Sequence, residues 1–263
     1  MTTTTFSSVY GPVSSWRYGR SLGIDPIGAV STCSFNCVYC QLGEIEQKTC
    51  DRAIYVPTAK ILDDLQHFAL WDADILTLSG SGEPTLALNL GEILTSIQQV
   101  TRLPTLVLTN GTLLGNPEVC QALAKANNVS IKLDALSPDQ LRRINRPVEG
   151  IDLGQICQEI KTFRAEFSGE VAIQTMVLAE WDAGVRANYM RWMQDLAPDE
   201  IQLNTPKRPK PLTRQLEGRG NHSFSQALSY PVQVFKCVST TFIQELATQI
   251  QNTTGIFVRF ASN

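Results

Sequence analysis

The chain has 263 residues, a length one α/β barrel can fill, and 43% hydrophobic with 18% charged residues is ample for a core. A net charge of −3 argues against general affinity for nucleic acid and leaves a local basic patch as the route to it. Residues Met1 to Phe6 show no basic region followed by an apolar run, and no stretch is apolar enough for a bilayer, so a cytoplasmic, reducing location with no membrane partner is expected.

In chain order, residues 7–27 read as an irregular N-terminal arm punctuated by Gly11, Pro12, Gly19, Gly23 and Pro26. Its Arg17 and Arg20 either reach an anionic group or solvate the arm. Gly28 to Ser31 is the expected first strand, delivering Cys33 to its end. Ile61, Leu62, Leu65, Phe68 and Ala69 make one apolar helical face. Further strands are expected at residues 75–79, 106–109, 130–134, 171–178 and 201–205, with a possible edge strand at 256–260. Helical stripes lie between and after them: Leu153, Ile156, Ile160, Phe163 and Phe167; Val185, Tyr189, Trp192, Met193 and Leu196; then Phe242, Ile243, Leu246 and Ile250. Strands alternating with helices imply βα units and a parallel sheet. With no convincing linker, residues 1–263 read as one domain: an arm to residue 27, a core over 28–206 and a C-terminal extension over 207–263.

Polar residues alternate with apolar ones on two of these strands. Ser130, Lys132 and Asp134 share one face while Ile131 and Leu133 share the other, and Gln202 and Asn204 alternate with Ile201 and Leu203. If the apolar faces meet outer helices, the polar ones line the interior. There they either face a ligand or satisfy one another in a network.

The most informative stretch is Cys33-Ser34-Phe35-Asn36-Cys37-Val38-Tyr39-Cys40. Three thiols at C-x-x-x-C-x-x-C spacing can converge from one loop, and thiolates select iron–sulfur clusters or zinc. A zinc site needs a fourth ligand, for which Cys50, His67 and the other histidine, His222, are the candidates. Disulfides fit poorly with seven cysteines. A cubane cluster held by three thiolates keeps one iron without a protein ligand, open to a substrate or cofactor. Of the other cysteines, Cys120 and Cys157 read as core, while Cys50 and Cys237 are buried thiols, ligands or radical quenchers.

This motif, with Tyr39 before its last cysteine, resembles the cluster loop of the radical S-adenosylmethionine (SAM) enzymes. Ser79-Gly80-Ser81-Gly82-Glu83-Pro84-Thr85, at the end of an expected strand, resembles that family's SAM-binding segment, with Ser81 between the two glycines as a variant. "VYGPVSSWRYGRSLGIDPI", "SIKLDALSP" and "NTPKRPKP" resemble the branch containing the tRNA wyosine-forming enzyme and its uncharacterised bacterial relatives. That enzyme has additional cysteines ahead of its motif for a second cluster, whereas no cysteine precedes Cys33 here.

The resemblance covers residues 10 to about 211 and implies an open, partial (βα)6 barrel. It implies a [4Fe-4S] cluster on Cys33, Cys37 and Cys40. It implies SAM contacts from Tyr39, Gly80, Ser81, Gly82, Glu83, Pro84, Thr109, Asn110, Lys132, Asp134 and Arg146, with Asn145 as a further candidate. The implied chemistry is reductive cleavage of SAM to methionine and a 5′-deoxyadenosyl radical that abstracts a hydrogen atom, fed by a flavodoxin- or ferredoxin-type reductant. Gln202, Asn204, Lys207, Arg208 and Lys210 are candidate substrate contacts. The substrate class is open between an RNA base, including one in tRNA, and a protein, peptide or small molecule. A non-enzymatic electron carrier would need no SAM-binding segment.

Overall fold

Strands and helices alternate as the hydrophobic pattern requires, and the computed structural model, which describes residues 6–219 and 230–261, arranges the strands in an eight-stranded sheet. Strands β1 (Val9–Ser15) and β2 (Gly19–Ile24) form an antiparallel hairpin. From β2 onward every pairing is parallel, through β3 (Ile75–Leu78), β4 (Thr105–Thr109), β5 (Asn128–Lys132), β6 (Glu170–Met176), β7 (Glu200–Asn204) and β8 (Phe257–Phe260). Spatial order equals chain order. Helices α1 (Thr58–Gln66), α2 (Leu90–Thr101), α3 (Pro117–Leu123), α4 (Leu153–Glu166), α5 (Ala183–Leu196) and α6 (Thr240–Thr254) supply the crossovers. Among the described residues no helix is long and apolar enough to cross a membrane.

Three of the helices start where a side chain satisfies a free N–H group and carry the outer layer beyond β5. Asp152, Asp182 and Ser239 accept from the backbone N–H of Gln155, Val185 and Phe242 at the starts of α4, α5 and α6. The apolar strand faces meet these helices. Ile131, Ile173, Ile201 and Leu203 are fully buried in one continuous core with Ile160, Tyr189, Met193 and Leu246.

The opposite face is polar and curled inward. Ser130 Oγ donates to Gln202 Oε1 at 3.2 Å, and Ser21 and Thr77 share a hydrogen bond of 2.6 Å. Curling brings the β1–β2 turn to β7, although four strands separate β2 from β7. Gln202 Nε2 donates to the Tyr18 hydroxyl at 2.6 Å, and Arg17 Nη1 donates to Gln202 Oε1 at 3.4 Å. These contacts close the lumen of an open barrel near the N-terminal ends of its strands.

Three expectations need correction. Residues 7–27 are not an irregular arm, because most of them form the hairpin whose second strand opens the parallel sheet. Turn-forming glycines and Pro12 concealed this; Gly23 is there because a Cβ would come 2.3 Å from the Tyr10 ring. Gly28 to Ser31 is not a strand. The first parallel strand ends at Ile24, and Asp25 then turns the chain by accepting the Ile27 and Gly28 N–H groups at 3.0 and 3.1 Å. Finally, Phe68 and Ala69 lie beyond the end of α1. The expected edge strand is β8, and His222 lies outside the described residues.

Truncating Leu22, 2% exposed in the core, distinguishes a sheet strand from a solvated arm. Leu22→Ala should cost about 2–5 kcal/mol in chemical denaturation, whereas an arm would tolerate it within about 0.5 kcal/mol.

Candidate active site

The C-terminal ends of β2 to β5 converge on the cysteine loop. Backbone bonds fasten the loop to a π-helical turn at Leu141–Asn145: Asn36 and Val38 N–H donate to the carbonyls of Asn145 and Ile144, both at 2.9 Å. Val148 N–H donates to the Ser34 carbonyl at 2.9 Å. On the loop's far side, Asn36 Nδ2 donates to Glu44 at 2.6 Å, and Glu44 also takes Lys210 Nζ at 2.6 Å.

Two amides are aimed at the sulfurs. Asn110 Nδ2 lies 3.6 Å from Cys33 Sγ, which also receives the Phe35 N–H at 3.4 Å. Asn145 Nδ2 lies 3.5 Å from Cys37 Sγ. Burial raises all three thiol pKa values, that of Cys37 to about 12. At Cys33 the Glu83 charge and the other two thiols add to the rise, and at Cys37 Asp134 does. Around Cys40, the positive charges of Lys210, Arg214 and Lys132 act in the opposite sense. Thiols that raise one another's pKa will shed their protons when a cation arrives to bind them.

No three His, Cys, Asp or Glu side chains among the described residues are gathered around a point one metal ion would fill. A cubane cluster gives each thiolate its own iron, so its ligands stand around a larger centre. The donor set fits such a cluster: three thiols from one loop, amide N–H groups directed at sulfur, and basic side chains nearby.

Two buried carboxylates fix this arrangement. Glu83 accepts from Asn110 N–H, the hydroxyls of Thr109 and Thr85, each at 2.7 Å, and Thr85 N–H at 3.1 Å. Burial nonetheless lifts its pKa above the usual carboxylate value, with those donors working against the rise. Asp134 accepts from the Tyr39 hydroxyl, from Asn145 Nδ2 at 2.8 Å and from Met176 N–H at 2.8 Å, and pairs with Lys132 at 3.5 Å. The Lys132 ammonium lies 4.9 Å from the Tyr39 ring centre. Both carboxylates are fully engaged within the protein, so they position neighbours such as Asn110, Tyr39 and Asn145.

The glycine segment is shaped by packing. Gly82 forms a parallel bridge with Thr32, with Thr32 N–H donating to the Ser81 carbonyl and Glu83 N–H donating to the Thr32 carbonyl, each at 3.0 Å. Gly80 has φ +125°, and a Cβ on it would come 2.4 Å from the Asp25 carboxyl. Ser81 N–H donates to Asp25 at 3.0 Å, and its hydroxyl accepts from Arg214 at 3.0 Å. Pro84 starts a short 3-10 turn capped by Glu83.

The remaining candidates scatter. Arg146 has φ +48° after the π turn, and its side chain is exposed. Gln202 is fully buried in the interior network, and Asn204 Oδ1 accepts the Thr205 N–H at 2.9 Å. The 207–210 stretch faces inward as well as outward: the Lys210 side chain is 5% exposed against Glu44, Arg208 donates to Gln41 at 2.6 Å, and Lys207 is half-buried. Asp25, Asn36 and Glu44 were not expected at the site. Asp25-Pro26 carries a turn signal, but nothing local reveals that Asp25 also takes Arg219 at 2.7 Å. Cys50, Cys120 and Cys157 are partly exposed, as are Cys33, Cys37 and Cys40, and Cys237 is exposed; all seven cysteines are free.

Comparison with known proteins adds three findings. A family model described as the Radical SAM superfamily matches residues 29–183. UPF0026 proteins are similar: that of Synechocystis sp. is 58% identical over 258 residues, covering 98% of this chain and 97% of its own length. That of Methanocaldococcus jannaschii is 31% identical over 206 residues, covering 76% of this chain and 64% of its own. Among solved structures, native anSMEcpe with bound AdoMet superposes with a TM-score of 0.59 at 16% identity, over 91% of this chain and 63% of that one, a likeness of fold.

Gly82→Ala tests whether the glycine segment is held by its backbone approach. The new Cβ would fall 1.7 Å from the Thr32 carbonyl oxygen, so the bridge must open. A loss of about 1–3 kcal/mol or more is expected in urea denaturation, and an unchanged midpoint would contradict the bridge.

Proposed function

The chain belongs to the radical SAM superfamily, and from that premise we propose that it binds a [4Fe-4S] cluster and SAM to act on a substrate held in the barrel lumen. The observation that carries this is the half-buried cysteine loop, with amide donors directed at the sulfurs of Cys33 and Cys37. Bound together, the cluster and SAM supply a one-electron cleavage of the sulfonium that yields a 5′-deoxyadenosyl radical for hydrogen abstraction.

Cys33, Cys37 and Cys40 are the proposed cluster ligands. Asn110 and Asn145 stabilise charge on the sulfurs and so tune the potential. For SAM, the segment from Gly80 to Pro84 and the strand-end residues Thr109 and Asn110 offer backbone and amide groups beside that loop. Lys132 and the exposed Arg146 are the proposed cationic partners of its carboxylate. Tyr39, Glu83 and Asp134 position these groups. Phe35 and Tyr39 are buried beside the sulfurs and exclude water from them.

For the substrate, the inward polar faces of β5 and β7 support a small molecule reaching the lumen. Modification of an RNA base, as in the wyosine-forming branch, has weaker support, because Lys210 is committed to Glu44 and the net charge of the chain is −3. A flavodoxin- or ferredoxin-type protein is the proposed electron source.

Anaerobically reconstituted protein should hold about four irons and four sulfides. Alanine at Cys33, Cys37 or Cys40 should abolish the cluster absorbance, and alanine at Cys120 or Cys157 should spare it. Dithionite-reduced protein should convert SAM slowly to 5′-deoxyadenosine and methionine; stoichiometric zinc without iron, or no SAM turnover by cluster-replete protein, would sink the assignment. Asn145→Ala should retain iron but shift the reduction midpoint to more negative values, read by spectroelectrochemistry.

A further inference from the structure

Most basic side chains around the lumen are neutralised. Lys132, Lys210, Arg214 and Arg219 each have a carboxylate oxygen at 2.6–3.5 Å. Arg17 and Arg208 differ: neither forms an ion pair among the described residues. Arg17 rises from the β1–β2 turn, and only an amide oxygen, Gln202 Oε1, accepts from it, at 3.4 Å. Its Nε is buried with no hydrogen-bond partner. Arg208, beyond β7, donates to another amide oxygen, Gln41 Oε1. Glu200 is the carboxylate that acts on Arg17 from a distance, and Arg259 already holds it at 2.9 and 3.2 Å.

Burial lowers the pKa of both guanidinium groups, and the charge of Arg208 adds to the effect on Arg17. Both side chains are half-buried, and the Arg17 guanidinium lies 5.5 and 5.9 Å from the Trp16 and Tyr18 ring centres. Two like charges stripped of part of their hydration oppose folding unless something neutralises them. Amide oxygens supply dipoles and no charge. Each guanidinium presents a planar fork suited to two oxygens of an oxyanion. The charge balance then selects among oxyanions. A phosphate monoester carries about −1.5 to −2 at pH 7 on one group and matches both arginines; a monocarboxylate would match one, and a dicarboxylate carries its two charges on separate groups.

We propose that Arg17 and Arg208 form a phosphate-binding subsite for a phosphorylated small-molecule substrate inside the barrel. This rests on the SAM-enzyme reading and names the class of molecule on which that chemistry acts. Arg17 stands at the β1–β2 turn and Arg208 is fastened to Gln41, the residue after Cys40, near enough for the charge of Arg208 to act on Arg17.

The test uses the cluster-loaded protein and inorganic phosphate, titrated at constant ionic strength by calorimetry and thermal melting, with succinate as the carboxylate probe. Saturable phosphate binding is expected, and Arg17→Gln and Arg208→Gln should each weaken it about tenfold or more. Arg20→Gln should keep the parent affinity, since Arg20 is exposed and paired with Asp72. Without phosphate, both lumen variants should melt at or above the parent temperature, because an unmatched charge is gone. Unsaturable binding, unchanged affinity in both variants, preference for succinate, or earlier melting of the ligand-free variants overturns the subsite. SAM binding measured in parallel separates the two readings: SAM bound without phosphate defeats the subsite alone, and no SAM bound defeats the reading beneath it.

Discussion

The site depends on two carboxylates kept inside the protein and saturated with donors. Glu83 gathers Thr85, Thr109 and Asn110, and Asp134 gathers Tyr39, Asn145, Met176 and Lys132. A buried carboxylate left unmatched is costly, so each is stable only when its donors stand in place. The donors come from different strand ends and from the cysteine loop, so the electrostatic requirement of two residues fixes the relative positions of four segments. The thiols receive their arrangement from this scaffold. A site built this way is rigid, which suits chemistry in which a reactive species must meet one hydrogen atom and no other.

The lumen follows a different logic from ordinary barrel interiors, which are filled with branched apolar side chains. Ser21, Thr77, Ser130, Gln202 and Tyr18 bond to one another there, and basic groups stand around them. Polarity on the concave side is affordable because the helices on the convex side bury the apolar halves of the same strands.

Much of this was legible in the amino-acid sequence. The alternation of Ser130 and Lys132 with Ile131, and of Gln202 with Ile201 and Leu203, marked which face would be wet, and every parallel strand from β3 onward fell where periodicity put it. Spacing alone singled out the cysteine loop. The hairpin was not legible, because Gly11, Pro12, Gly19 and Gly23 carry turn signals while serving a strand pair that accommodates Tyr10 and a close neighbour at Asp74. The alternatives left open for Gln202 needed the fold: its partners, Tyr18 and Ser130, lie 184 and 72 residues away. The roles of Glu83 and Asp134 also depended on distant donors. Local patterns reveal faces and loops; partnerships across the barrel are set by curvature, which no single segment encodes.

The coincidence of chain order with sheet order bears on how the protein is made. Each strand that emerges in synthesis finds its partner already present beside it, so the sheet can extend one unit at a time. The three thiols are an exception to this economy. They are translated early, whereas Asn110, Asp134, Asn145 and Lys210, which surround them, come much later. A nascent chain therefore displays its cysteine loop to the cell before it possesses the means to enclose it, and the enclosure is completed only when β7 and the segment after it have left the ribosome.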